Sequence, residues 1–126
     1  MALNESAEMY LETIYTLSQS KTTVRSIDVA EALGYSRPSV SRAVGLLKKD
    51  ELLLMDDDGF LVLTDAGRSI AEKIYRRHTV LTAALKALGV DEETAAEDAC
   101  KIEHVISDKS LAAITKHMEQ YGKGTE

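Results

Sequence analysis

Residues 24–47 constrain the fold of this chain more than any other stretch. In residues 24–33, Ile27, Ala30 and Leu33 recur at helical spacing, with Ser26 as the expected cap. Gly34 then offers the left-handed conformation that ends a helix at low cost. Two residues on, Ser36-Arg-Pro-Ser-Val-Ser-Arg opens a second helix, with Ser36 capping and the chain's only proline, Pro38, where a missing N–H costs little. Helix, tight glycine turn and second helix make a helix-turn-helix. Val40, Ala43, Val44 and Leu47 face inward, so Arg37, Pro38, Ser39, Ser41 and Arg42 are presented at the end that enters a major groove in such motifs.

The flanking segments extend this to a winged helix. Residues 52–55 and 60–63 are short apolar strands around Asp56-Asp-Asp-Gly59, and they are expected to pair as a hairpin. The acidic tip of that wing suits a structural role better than one among phosphates. Upstream, Tyr10, Leu11, Ile14 and Leu17 predict a helix over 5–18, with Met9 and Glu12 on a neighbouring face. Downstream, Thr64 caps a long helix to about Leu88, with Ile70, Ile74, His78, Leu81, Leu85 and Leu88 on one stripe. Gly89 stops it, Asp91 caps the next helix, and Ser107 opens a last one with Leu111, Ile114, Met118 and Tyr121 at three/four spacing. The tail from Gly122 is expected to fray. The fold class is therefore mainly α: a winged-helix DNA-binding domain over 1–65, then an α-helical domain over 66–126 for dimerisation and, on the sulfur, oxygen and nitrogen donors of Cys100, Glu103 and His104, for metal binding. The amphipathic faces exceed what one 126-residue chain can cover, which predicts a homodimer.

The net charge of -6 excludes a protein that coats nucleic acid through overall positive charge. The cations are instead local: Arg37, Arg42, Lys48 and Lys49 lie in an acid-free stretch, and Arg25 lies just upstream. Double-stranded DNA with a partly palindromic operator is the expected partner, contacted by Arg25, Ser36, Arg37, Pro38, Ser39, Ser41, Arg42 and Lys48. No apolar run approaches the roughly 20 residues of a membrane span, and the first residues lack a signal peptide's apolar centre. A cytoplasmic location and no membrane partner are expected.

Residues 98–107, Asp-Ala-Cys-Lys-Ile-Glu-His-Val-Ile-Ser, carry the remaining chemistry. On a continuous helix at roughly 100° per residue, Cys100, Glu103 and His104 share one face. Sulfur, oxygen and nitrogen donors then converge as a transition metal requires. A single cysteine makes no internal disulfide, so a reduced thiolate is expected. The alternatives are a buried thiol beside a charged edge, a redox or small-molecule regulator sensing through Cys100, and an enzyme with Cys100 as nucleophile and His104 as base. The enzyme reading is disfavoured because no oxyanion-binding loop or third orienting group is recognisable.

The order of elements and the motifs Ala-Glu-Met-Tyr-Leu-Glu-Thr-Ile-Tyr, Ser-Arg-Pro-Ser-Val-Ser-Arg, Arg-Arg-His and Asp-Ala-Cys-Lys-Ile-Glu-His-Val-Ile-Ser-Asp resemble the diphtheria toxin repressor family of metal-dependent transcriptional regulators. The resemblance spans nearly the whole chain and implies a repressor of metal homeostasis genes, in a short form without the family's SH3-like domain. It implies metal ligands at Met9, Cys100, Glu103 and His104. The manganese-responsive branch implies Glu12 and His78 as well. Where that branch has carboxylates, Met9 and Cys100 supply thioether and thiolate, so Fe(II) is favoured over Mn(II). Zn(II), Co(II) or Ni(II) are expected to substitute in vitro. Of the iron branch's ancillary set only His78 is retained, since Thr82 and Ala96 occupy the positions of a glutamate and a histidine.

Overall fold

A computed structural model describes residues 4–121; the expectation for the tail from Gly122 lies outside them. The chain forms two compact units, Met1–Glu72 and Lys73–Glu126. In the first, α1 (Glu5–Ser20), α2 (Ser26–Leu33) and α3 (Arg37–Lys49) are followed by β1 (Leu53–Met55) and β2 (Leu61–Leu63). The strands pair antiparallel with Leu53 opposite Leu63, giving the expected winged helix.

Local chemistry explains most boundaries. The Asn4 side chain accepts from the Ala7 N–H at 2.7 Å and starts α1. Gly34 ends α2 with φ 71°. Ser36 Oγ accepts from the Ser39 N–H at 3.3 Å at the start of α3. One cap differs from expectation. Ser26 is already inside α2, and the cap is Arg25, whose N–H donates to Asp28 Oδ2 at 2.8 Å. A carboxylate three residues into the helix reaches back to the orphan donor, so the hydroxyl at Ser26 is not needed.

The core of this unit is apolar side chains from all three helices and the wing, with Leu11, Val29, Val40 and Leu53 fully buried. Each such side chain stabilises the fold by about 1.5–3 kcal/mol. The long helix α4 (Asp65–Ala87) also enters this core through Ala71, with Ile70 packed at its edge. The first unit therefore runs on past residue 65 into α4.

The second unit contains the rest of α4, α5 (Glu92–Ile102) and α6 (Asp108–Tyr121). Asp91 Oδ2 accepts from the Thr94 N–H at 2.9 Å, and Ser107 Oγ accepts from the Ser110 N–H at 3.1 Å, so both expected caps form. Ile74, Leu81, Ala95 and Ala99 are buried. No described residue of α6 is buried. Its apolar face instead lines an open groove of about 590 Å³ with Leu81, Leu85 and Leu88 of the α4 end. No described helix is long and apolar enough to cross a membrane.

Candidate functional site

In the second unit, α4 supplies His78, and the cap and turn that follow α5 supply Glu103 and His104. The Glu103 carboxylate has no solvent exposure; His78 Nδ1 lies 2.9 Å from its Oε2 and His104 Nε2 lies 3.4 Å from its Oε1. A buried carboxylate is costly unless its oxygens are matched, and here two imidazoles flank it. Cys100, half-buried, stands one turn earlier on α5. One hard oxygen donor and two borderline nitrogens suit a divalent first-row transition metal. The residues present therefore fit such an ion.

The geometry corrects one expectation. Residues 98–107 are not one helix: α5 ends at Ile102, Glu103 is its C-cap, and His104 stands beyond it in a turn. Arg77 gives the physical reason. Its guanidinium donates to the Glu103 carbonyl at 3.0 Å and the Ile106 carbonyl at 3.1 Å, and it pairs with Asp108. The Glu103 carbonyl is thus taken by a side chain instead of the next helical turn. The turn carrying Glu103 and His104 is held from behind by a buried cation. Hydrogen bonds from Arg77 first, then from Lys73, hold the Asp108 carboxyl below the usual carboxylate range.

In the first unit, Met9 and Glu12 lie on α1, both half-buried. Met9 Sδ accepts a hydrogen bond from the Tyr35 hydroxyl at 3.6 Å. Of the expected ligands, His78, Glu103 and His104 are brought together within the second unit. Met9 and Glu12 belong to the first.

Arg37, Pro38, Ser41, Arg42 and Lys48 are exposed along α3. Ser36 and Ser39 are occupied with each other, their hydroxyls 2.9 Å apart, so they act first as the cap. The Arg25 guanidinium stacks over the Phe60 ring at 4.6 Å, tying the start of α2 to the wing beside its turn. Tyr10 lies beneath this face: burial and the neighbouring Tyr35 push its phenol up, and Arg42 acts in the other direction.

Sequence reasoning assigned no role to Arg77 or Tyr35. Arg77 keeps helical spacing with Ile74 and Leu81 and is buried in the same stripe of α4, but a cation there signals no partner by itself, and its partners lie outside α4. Only the Arg-Arg-His motif pointed toward it.

The chain matches two family models: "Iron dependent repressor, N-terminal DNA binding domain" over residues 2–60, and "Iron dependent repressor, metal binding and dimerisation domain" over residues 64–123. It is 40% identical over 109 residues to the HTH-type transcriptional regulator MntR of Bacillus subtilis (strain 168), covering 86% of this chain and 77% of that protein. It is 32% identical over 122 residues to the diphtheria toxin repressor of Corynebacterium diphtheriae, covering 96% of this chain and 54% of the repressor. The structure of the manganese regulator SloR superposes with a TM-score of 0.80 at 30% identity, over 94% of this chain and 55% of that one. The chain thus spans about half the length of the last two.

Proposed function

The chain belongs to the iron-dependent repressor family of metal-dependent, DNA-binding transcriptional repressors, and from that premise we propose that Fe(II) is the metal that switches it. The observation that carries this reading is the buried Glu103 carboxylate between His78 and His104, with Cys100 three residues earlier on α5. Cys100, Glu103 and His104, with Met9 of α1, form the proposed ligand set; Glu12 and His78 form the proposed second position. Thiolate and thioether donors favour Fe(II) over the harder Mn(II). When bound, the metal would supply a positive centre that the proposed donors neutralise and hold.

The rest is done by the chain. Arg77 fixes the turn that presents Glu103 and His104. α3 offers Arg37, Ser41 and Arg42 to base edges, while Arg25, Lys48 and the Ser36 end of the helix suit phosphates. In a homodimer two such helices read the half-sites of a partly palindromic operator. A 30-fold preference of metal for the DNA-competent arrangement corresponds to about 2 kcal/mol, within ordinary coupling between sites. The regulated genes are those of metal homeostasis, in the cytoplasm.

A second reading, activation by Mn(II), is favoured by one observation: His78 is already hydrogen-bonded to Glu103, which joins a second nitrogen donor to the set. The two are separated by anaerobic pull-down of sheared genomic DNA with Fe(II), Mn(II) or chelator, on wild type and Cys100→Ser. Under the iron reading, the same few fragments are enriched at lower free Fe(II) than Mn(II). Cys100→Ser then needs at least about tenfold more Fe(II), as expected for a lost ligand. A lower requirement for Mn(II), unaffected by the substitution, would establish the second reading. Equal enrichment in chelator would overturn both.

A further inference from the structure

The turn between α2 and α3 carries a side chain that joins two parts of the first unit. Tyr35 follows Gly34, and its N–H bonds to the Ala30 carbonyl at 3.2 Å. Ser36, the cap of α3, comes next. The Tyr35 ring packs edge-on to the buried Tyr10 ring, with centroids 6.0 Å apart and planes at 61°. Its hydroxyl donates to Met9 Sδ at 3.6 Å, within range for a sulfur acceptor. One side chain therefore holds two successive residues of α1 from the turn that aims the DNA-reading helix.

A thioether ends a side chain with three rotatable bonds, and its sulfur is a weak acceptor. Unrestrained, such a sulfur loses rotamer freedom whenever it is fixed in place. Here the Tyr35 hydroxyl engages one lone pair and leaves the other for a soft cation. Preorganised donors bind more tightly because less ordering remains to be done.

We propose that Tyr35 is a positioning residue for metal binding, its hydroxyl holding the Met9 thioether in the orientation that ligates and linking that ligand to the turn before α3. This rests on the reading of Met9 as a ligand, and the test separates the two. Co(II) affinity of the full chain is measured by competition with a colorimetric chelator for wild type, Tyr35→Phe, Met9→Leu and the double variant. Tyr35→Phe keeps the ring against Tyr10 and removes only the hydroxyl. It is expected to weaken Co(II) binding about 2- to 10-fold, the range for one hydrogen bond. The metal-free melting temperature should stay at the wild-type value.

Met9→Leu is expected to weaken binding further, and Tyr35→Phe to add nothing in that background, because the group it positions is gone. In the metal-free chain, Tyr35→Phe should also move the ¹³C methyl resonance of Met9 toward a rotamer-averaged value. Wild-type Co(II) affinity in Tyr35→Phe, with a loss in Met9→Leu, overturns the role of Tyr35 and leaves the ligand standing. An equal loss from Tyr35→Phe in both backgrounds also overturns it, since the effect would not pass through the sulfur. No loss in Met9→Leu overturns the ligand assignment and this inference together.

Discussion

Arg77 shows how one residue can set the geometry of a site without carrying its donors. Its contacts with Glu103, Ile106 and Asp108 close the turn after α5, and Asp108 in turn opens α6. The Asp108 contribution is pH-dependent with a definite sign. Its folded pKa is depressed, so its stabilisation is fully present above the unfolded carboxylate value near about 4 and is lost as pH falls through the lower folded value. Asp108→Asn should therefore lower the melting temperature by a constant amount across neutral pH, with the gap to wild type closing below about pH 4. A gap that persisted undiminished in acid would show that the carboxylate charge is not what matters. Side-chain type marked Cys100, Glu103 and His104 as candidate donors, but the single helical face that their spacing suggested does not form, because α5 ends at Ile102. Arg77 was not legible, because its partners lie 26 to 31 positions away in the chain.

At the scale of elements, caps and glycines account for most boundaries, and the exceptions come from packing. α4 starts where Thr64 Oγ1 accepts from the Gly67 N–H at 3.0 Å, as its sequence position suggested. The presence of glycine at 67 has a different cause. A Cβ there would overlap the Leu52 carbonyl oxygen, which itself accepts from the Thr64 N–H at 3.2 Å. The first turn of α4 is pressed onto the chain entering β1, and no periodicity in residues 65–87 signals it. Gly67→Ala should gain the helix propensity of alanine, under about 1 kcal/mol, and lose more to the backbone clash. The expected net change is a destabilisation on the order of 1–3 kcal/mol in urea unfolding; a more stable variant would mean that the contact relaxes at little cost.

At the scale of the molecule, the groove along α4 and α6 leaves apolar surface open in the second unit. It lies within the stretch matched by the metal-binding and dimerisation model. Leu88, 81% exposed, and Tyr121, 63% exposed, make sense as surface covered by a second copy. Ile114→Glu, at the groove, should convert dimer to monomer in sedimentation at micromolar concentration while leaving helical circular dichroism intact; a variant still dimeric would move the interface elsewhere. What the sequence alone determined was whatever depends on near neighbours in the chain. The helix periods, the glycine turn at 34, the hairpin turn at 56–59 and the caps at Ser36, Thr64, Asp91 and Ser107 are all closed by bonds within a few residues. Only the tertiary structure decided where α5 ends, what Arg77 holds, why residue 67 is glycine and that Tyr35 reaches Met9. Those contacts join segments far apart in the chain, so they exist only once helices have docked, and docking is set by how whole faces pack.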